Sequence, residues 1–314
     1  MIAPPPPKAC GKDIMDHKRI IAALPREQRK KLIEKTNGPG LLHLVLHAGA
    51  IAIVGVFIAS GVPYWPVLMV VQGILIVFLF TLLHESIHRT AFRSTWINDV
   101  VAALCGFLIL LPPNWFRYFH FAHHRHTQDP ENDPELIVPK PETVGQYLTY
   151  LSGLPTWKSH LGTLLRNARG RCDDAFVPTS AQKQVQGEAC LMLATYGGIV
   201  GMCIVSGVTL PLYIWVLPVL LGQPFLRLYL LAEHGRCAFV TNMFENSRTT
   251  FTNRLVRSLA WNMPYHAEHH AYPGVPFHRL PEFHRMIRTR LTVTEDGYAR
   301  FHRSYFSELT MDRQ

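Results

Sequence analysis

The chain has 314 residues, 48% of them hydrophobic, and a formal net charge of +9 from 31 Lys and Arg against 22 Asp and Glu. This length fits either two soluble domains or one membrane domain with an aqueous cap, and the distribution of charge favours the second. No helix-turn-helix, zinc-finger or RNP pattern accompanies the positive charge, so we do not expect a nucleic-acid partner.

Residues 1–40 form a basic segment, with nine Lys and Arg against four acids, directly before the first apolar stretch. This position predicts a cytoplasmic N-terminus, and the proline run at the start is not a signal-peptide apolar region. Within the segment, the amphipathic piece from 25 to 36 is either a helix on the membrane surface, through Leu24, Leu32 and Ile33, or a solvated helix. We assign 1–40 to a cytosolic segment and 41–314 to one domain.

Two long stretches contain no Asp, Glu, Lys or Arg: residues 41–83 and residues 189–226. Each is about two bilayer crossings long, because one crossing takes about 20 helical residues. We therefore predict an all-α membrane protein with four transmembrane helices in two hairpins. The expected spans are 41–61, 64–83, 189–206 and 212–231, with a cytosolic helical cap formed by 84–188 and 232–314.

The apolar segment from Ile97 to Leu111 has only 15 residues, which is shorter than a crossing. It also separates two histidine-rich segments that must lie on the same side of the membrane if they share one site. We therefore expect a re-entrant or interfacial element here and not a fifth span.

Eight histidines fall into three short boxes: His84 and His88 in HESIH, His120, His123 and His124 in HFAHH, and His266, His269 and His270 in HAEHH. Histidines three or four residues apart share a helix face, so each box directs its imidazoles one way. Eight ligands exceed the six positions of one metal, which predicts two metals. Imidazole suits Zn, Cu, Fe and Ni, and a structural zinc site needs only four ligands, so the excess favours redox iron.

The boxes resemble those of the membrane fatty-acid desaturase and alkane-hydroxylase superfamily. The likeness runs from about His84 to His284 and includes WFRYFHFAHHRHTQDPENDPE and NMPYHAEHHAYPGVPFHRLP. It implies a four-span fold with a cytosolic cap, a non-haem di-iron centre held by the eight box histidines, and O2-dependent attack on an unactivated C–H bond. Members of the superfamily often have a ninth ligand just after the last span, and His234 occupies that place.

The resemblance implies an O2-dependent oxidoreductase that desaturates or hydroxylates a fatty-acyl or lipid substrate. The alternative is a hydroxylase of an alkane, a terpenoid or another small apolar or amphiphilic molecule. Desaturation and hydroxylation differ by sub-ångström placement of the substrate, which the residue types in the boxes do not report. A histidine-rich metal transporter fits less well, because its ligands would lie at mid-membrane.

The expected cofactors are two Fe ions, with O2 as co-substrate. The chain has no dinucleotide fingerprint, no CxxC pair and no haem-binding domain, so we expect no bound flavin, haem or nicotinamide. Electrons must then come from a separate donor of the ferredoxin, rubredoxin or cytochrome b5 type, with its reductase, meeting the basic cytosolic face. We expect a multi-pass protein with both termini cytoplasmic, in a bacterial inner membrane.

Acidic residues near the boxes are candidates to orient the metal ligands. A metal-bound imidazole usually donates its second N–H to a carboxylate or a carbonyl, which fixes its tautomer. The candidates are Glu85, Glu233, Glu268, Asp129 and Asp133. Ion pairs with neighbouring arginines are the alternative role for the three glutamates.

Five further histidines are expected outside the site. His43 and His47 are interpreted as headgroup-level residues of the first span, and His126 points away from the ligand face of its box. His278 and His284 are interpreted as structural or surface residues.

Two amides lie inside predicted spans: Gln72 is 12 residues before His84, and Gln223 is 11 residues before His234. At 1.5 Å per residue both lie roughly 17 Å below the metals. An amide at this depth must face protein, water or ligand. The pair therefore forms either helix-to-helix hydrogen bonds or the far end of an apolar substrate channel.

Overall fold

The computed structural model describes residues 16–311, so the proline-rich start of the basic segment lies outside the described residues. As predicted, the described chain is predominantly helical and has almost no strand. The helices are α1 (His17–Ala23), α2 (Arg26–Leu32), α3 (Gly38–Ala59), α4 (Trp65–Val77), α5 (Leu79–Ile87), α6 (Thr95–Leu108), α7 (Pro113–His126), α8 (Val144–Leu151), α9 (Leu154–Ala168), α10 (Thr179–Ser206), α11 (Leu217–His234), α12 (Met243–Asn246), α13 (Arg254–Leu259), α14 (His266–Ala271), α15 (Leu280–Ile287) and α16 (Tyr298–Ser307). Strands β1 (Thr249–Thr250) and β2 (Thr294–Glu295) pair in parallel.

Four helical segments of the described chain are long and apolar enough to cross a membrane, as predicted. They are Gly38–Ala59, Trp65–Ile87, Thr179–Ser206 and Leu212–His234. Only 11% of the apolar window of the first and third is buried inside the protein, against 50% and 39% for the second and fourth. The second and fourth segments therefore form an inner pair, and the first and third leave most of their surface for lipid.

The helices extend beyond the predicted spans at the ends that approach the histidines. The second segment continues through α5 to Ile87, and the fourth begins with a π-helical turn (Leu212–Val216) and ends at His234. The third begins ten residues before its uncharged stretch, and its Glu188 accepts a hydrogen bond from the backbone N–H of Asn114 at the start of α7. Absence of charge marks the part of a helix that lies in hydrocarbon, and these helices continue past that part.

The inner helices α4 and α11 touch backbone to backbone where Gly73 meets Gly222. A Cβ on Gly73 would collide with the carbonyl oxygen of Pro218, and a Cβ on Gly222 would collide with the carbonyl of Gly73. Small residues permit such close crossings between membrane helices. This contact fixes the two helices that lead to His84 and His234.

The apolar segment around 97–111 is part of a sharply bent element. Helices α6 and α7 meet at an angle of 100°, as in a broken span or a re-entrant loop. Leu110 has a positive φ of 60°, and Pro112 and Pro113 follow it, so the first helix cannot continue. The bend directs the HFAHH box of α7 towards the HESIH box. That the element does not cross the membrane stays a prediction.

The described part of the basic segment packs on the protein. Leu32 is fully buried and Ile20 is buried in the same core as Trp261 and Phe283. Lys31 forms an ion pair with a carboxylate of α15. The sequence predicted that Leu32 lies either against the membrane surface or on a solvated helix. Neither holds, because its side chain is buried in the core of the protein.

Candidate metal centre

All nine histidines predicted as metal ligands lie in one cluster, which four segments of the chain form. The segments are the end of α5, the last two turns of α7, the end of α11 and the short helix α14. The nine residues are His84, His88, His120, His123, His124, His234, His266, His269 and His270. Seven are buried and two, His88 and His124, are partly exposed.

The cluster divides into two adjoining groups. In each group of the described chain, every histidine has one ring nitrogen within 4.8 Å of the corresponding nitrogens of the others. The first group contains His84, His88, His120, His124 and His269. The second group contains His123, His234 and His270. Nε2 of His266 lies 2.9 Å from Nε2 of His234 and so adjoins the second group. The groups meet where His124 stacks on His270, with 4.1 Å between ring centroids.

Within each group the Nε2 atoms face one another at close range. Nε2 of His124 lies 2.9 Å from that of His120 and 3.1 Å from that of His269, and His123 and His234 approach to 3.1 Å. A neutral imidazole has one donor and one acceptor nitrogen, so three converging rings cannot all satisfy each other by hydrogen bonds. Lone pairs that converge in this way match a metal ion at the centre of each group.

Several buried ring nitrogens have no hydrogen-bond partner among the described residues. In the cluster they are both nitrogens of His84, Nε2 of His88 and His270, and Nδ1 of His124, His266 and His269. Buried polar atoms without a partner are rare, because losing water without replacement is costly. An all-imidazole donor set suits Fe, Zn, Cu or Ni. The residues therefore fit the pair of metal ions that the boxes predicted.

Burial favours the neutral form of most of these histidines, which is the form that binds metals. His123 is an exception, because the charge of Glu135 and the contact with Asp133 outweigh burial and raise its pKa. Loss of solvation lowers the pKa of His88 to about 3, and the charges of Arg117 and Lys35 add to the effect. The same loss of solvation, followed by repulsion from neighbouring imidazoles, lowers the pKa of all three histidines of α14.

Nitrogens that face away from the groups are held by oxygen atoms. Nδ1 of His123 lies 2.9 Å from Oδ1 of Asp133, and Nδ1 of His234 lies 3.0 Å from the carbonyl oxygen of Asn246. Each contact fixes the N–H on Nδ1 and leaves the lone pair on Nε2. Asp133 was a candidate for this role from the sequence, whereas a backbone carbonyl carries no sequence signal.

The hydroxyl of Thr127 orients a third histidine. It donates to the carbonyl of His123 at 2.8 Å, so its oxygen can only accept from Nδ1 of His270, 3.2 Å away. That contact leaves the lone pair of His270 on Nε2, the atom that faces the cluster. The sequence analysis missed Thr127, although a hydroxyl three residues after a histidine box is a visible signal.

Two of the predicted glutamates lie beside a cluster histidine. Oε1 of Glu233 is 3.3 Å from Nδ1 of His266. Oε1 of Glu85 is 3.9 Å from Nδ1 of His269, which is too long for a hydrogen bond, and the other oxygen of Glu85 accepts from a backbone N–H.

The other two predicted acids do not orient cluster histidines. Asp129 turns outward and accepts from the side chain of Asn132 at 2.8 Å, because it stabilises the turn after α7. Glu268 is fully buried on the opposite face of α14, where it accepts from Thr249 at 2.6 Å and from Nδ1 of His284 at 2.5 Å. Neither acid contacts a cluster histidine through these hydrogen bonds, so a role of either near the metals stays a prediction.

The histidines expected outside the site lie outside both groups. His126 is partly exposed and lies near the carboxylate of Asp129. His43 and His47 contact the cap, since Nε2 of His43 is 2.7 Å from the Ser258 carbonyl and Nδ1 of His47 accepts from the Trp261 indole at 3.3 Å. His278 lies on the loop before α15, and His284 is the partner of Glu268.

Glu135 is an acid near the cluster that the sequence analysis did not single out. Its Oε2 lies 3.2 Å from Nε2 of His123, and its Oε1 lies 2.6 Å from Nζ of Lys140. Burial opposes its charge, but the ammonium of Lys140 outweighs this and holds the pKa of Glu135 well below its usual value. The sequence pattern of the region, rich in Asp, Pro and Asn, indicated only a turn.

The two membrane amides have different surroundings. Gln72 is buried and donates from Nε2 to the carbonyl of Ile214 at 3.1 Å, which is the helix-to-helix alternative. The side chain of Gln223 packs against Gly153, which lies in the short connection between α8 and α9 and has a positive φ of 69°. A channel role for either amide stays a prediction.

Comparison with known proteins gives a family and several relatives. A model of the family described as "Fatty acid desaturase" matches residues 19–304. The chain is similar to the chloroplastic omega-3 fatty acid desaturase of Glycine max (24% identity, 69% of this chain and 53% of that protein). It is also similar to the dihydrorhizobitoxine desaturase of Bradyrhizobium elkanii (28% identity, 71% and 66%). A third relative is the sn-1 acyl-lipid omega-3 desaturase (ferredoxin) of Nostoc sp. (strain 36) (25% identity, 40% and 36%). The matched part of the chain spans less than two thirds of the length of each of these relatives.

Proposed function

This chain belongs to the fatty acid desaturase family, and from that membership and its histidine cluster we propose that it removes two hydrogens from adjacent carbons of an acyl chain. The observation that carries the proposal is the convergence of nine imidazoles into two adjoining groups with lone pairs facing inward. All nine lie within the part of the chain that the family model matches.

The nine histidines would hold two iron ions. When bound, the iron pair supplies the reduction of O2 that drives cleavage of unactivated C–H bonds. The overall reaction balances when –CH2–CH2–, O2, two electrons and two protons give –CH=CH– and two molecules of water. The chain itself contributes orientation, since Asp133, Thr127 and the carbonyl of Asn246 set which ring nitrogen faces the metals.

The substrate that we propose is an acyl chain of a membrane lipid. Relatives named as acyl-lipid or fatty acid desaturases support it. Four helices that are long and apolar enough to cross a membrane also support it, because lipid acyl chains lie in the membrane. A small amphiphilic molecule is the second candidate. The similarity to a dihydrorhizobitoxine desaturase, over 71% of this chain, favours this candidate.

The two electrons would come from a separate donor protein of the ferredoxin, rubredoxin or cytochrome b5 type. The name of the Nostoc relative supports ferredoxin for that protein. We further propose that both termini and the histidine cluster lie on the cytoplasmic side of a bacterial inner membrane. The basic residues before the first span support this orientation.

The test combines metal analysis with product analysis. The full chain is produced in cells supplied with iron, purified in detergent and assayed for metals, while lipid extracts of cells with and without the gene are compared for double bonds. We expect about two irons per chain, as two-metal sites require, together with new unsaturated acyl chains. Zinc as the only bound metal would overturn the proposal. So would iron-loaded protein that, with a working electron donor present, adds no double bond to lipids or to small amphiphilic molecules.

A further inference from the structure

A cavity of about 420 Å³ opens at the surface between α3, α13 and α15. Three arginines line it, Arg254 and Arg257 from α13 and Arg285 from α15, together with the polar side chains of Ser258 and Asn262. None of the lining residues belongs to the histidine cluster. The cavity is therefore a basic site that the proposed oxidation does not use.

The positive charge of the cavity is not balanced by the protein. No Asp or Glu lines it, and among the described residues none of its three arginines forms an ion pair. The contrast is Arg279, at the start of α15, which pairs with Glu282 at 2.9 Å. Three guanidinium groups around one cavity repel each other, so an anion bound between them would relieve the repulsion.

One of the arginines is already held in position. Nη1 of Arg257 donates to the phenolic oxygen of Tyr265 at 2.6 Å, and its Nε is buried without a partner among the described residues. A guanidinium fixed by one bond keeps its other donors available at a defined place. Planar, forked donors of this kind match the oxygen atoms of a phosphate group.

The cavity lies beside the first turns of the membrane helix α3, where we expect lipid headgroups. Its wall includes His43, five residues after the start of the membrane helix α3, or about 7.5 Å along the helix axis. Nε2 of His43 lies 2.7 Å from the carbonyl of Ser258, which ties α13 to this end of α3. Large apolar side chains on the same two helices are exposed, with 63% of Leu42, 64% of Leu46 and 77% of Leu255 accessible.

We propose that this arginine cavity binds the phosphate of an anionic phospholipid, whose acyl chains lie along the exposed face of α3. The apolar side chains beside the arginines favour a lipid. Free phosphate has no hydrocarbon part to cover them, and a water-soluble acidic protein does not enter the hydrocarbon that surrounds a membrane helix such as α3. Basic pockets at the cytoplasmic ends of membrane helices recognise anionic headgroups by this combination of charge and apolar contact.

The experiment compares lipid retention by two double variants of the full chain. The test variant is Arg254→Gln with Arg285→Gln, and the matched control is Arg288→Gln with Arg290→Gln, which removes two exposed arginines just beyond α15. Each protein is placed in nanodiscs of phosphatidylcholine with about 20% phosphatidylglycerol, so that the anionic lipid competes with an excess of a zwitterionic one. Lipid retained after transfer to detergent is measured by native mass spectrometry.

We expect one phosphatidylglycerol to stay on the wild-type and control proteins, and its occupancy to fall about tenfold or more in the test variant. Helix content and bound metal should be equal in all three, which excludes misfolding as the cause. Equal retention in test and control variants would overturn the proposal. So would weaker binding of inorganic phosphate, or of an acidic donor protein, in the test variant with lipid retention unchanged.

Discussion

The carboxylate of Glu135 lies 3.2 Å from Nε2 of His123, the nitrogen that also faces Nε2 of His234 at 3.1 Å. Lys140 holds the other oxygen of Glu135 at 2.6 Å, so the carboxylate is fixed with one oxygen directed at the histidine. The second group of imidazoles therefore has an anion beside it. In the first group, Oε1 of Glu85 lies 3.9 Å from Nδ1 of His269, which is too far for a hydrogen bond.

The variant Glu135→Gln should weaken metal binding at the second group. Removing the charge while keeping the shape eliminates the attraction between carboxylate and cation. Because the carboxylate lies beside Nε2, the nitrogen that faces the metal, the loss should be at least the roughly 10- to 100-fold in affinity that loss of an outer partner costs. Iron per chain and the Mössbauer spectrum measure the effect, and we expect one of two iron signals to fall. Glu131→Gln, an exposed acid in the same turn, is the control, and an unchanged spectrum in both would refute the role.

The variant His234→Ala should lose iron. His234 lies at the end of α11, with Nε2 within 3.1 Å of both His123 and His266. Its removal should weaken binding by more than the roughly 10- to 100-fold that loss of an outer partner costs. His126→Ala, a partly exposed histidine outside both groups, should keep full iron. Wild-type iron content in the His234 variant would remove it from the ligand set.

The variant Gly222→Ala should destabilise the protein by about 1–3 kcal/mol, the usual cost of forcing a methyl group into a packed contact. The new Cβ would collide with the carbonyl of Gly73 and push α4 and α11 apart. Thermal unfolding in detergent checks this. Gly198→Ala on α10 is the control, since a Cβ there meets no atom within 4 Å. Equal unfolding temperatures for the two variants would show that the helices do not pack at this crossing.

The two amides should differ when each is replaced by leucine. Gln72→Leu removes a hydrogen bond to the carbonyl of Ile214, so we expect lower stability, by about 1–3 kcal/mol, and unchanged products. Gln223→Leu should change the chain length accepted or the position oxidised if the amide bounds a channel, with iron content intact. Gas chromatography of the acyl products distinguishes these outcomes. Identical products in both variants would leave the amides with structural roles alone.

The membrane orientation predicts which positions a water-soluble thiol reagent reaches in intact cells. Cys172 and Cys237 are buried and cannot serve as probes, and Cys10 lies outside the described residues. Ser60→Cys in the turn after α3 and Ser304→Cys on α16 are exposed conservative changes. With Cys10, Cys190 and Cys203 changed to Ser, Ser60→Cys should react in intact cells and Ser304→Cys only in opened membranes. The reverse pattern would invert the topology.

Much of the fold was predictable because its signals are local in the chain. Absence of charge over about 40 residues has few explanations besides two membrane crossings, so the four apolar helices follow from composition alone. Histidines at helical spacing share a face, so the boxes predicted a common site without knowledge of how the segments meet. His234 could be selected because it lies three residues after the last predicted span, where the family resemblance implies a ninth ligand, and Asp133 because it lies nine residues after the HFAHH box.

Only the tertiary structure determined the contacts between segments that are distant in the chain. Glu268 stands next to a box histidine in sequence yet pairs with His284, because neighbouring residues on a helix point about 100° apart. The Gly73–Gly222 crossing joins residues about 150 positions apart, and the arginine cavity joins α3 to α13 across more than 200. A sequence pattern reports the face that a side chain occupies on its own helix. The partner that meets that face depends on the packing of the whole chain.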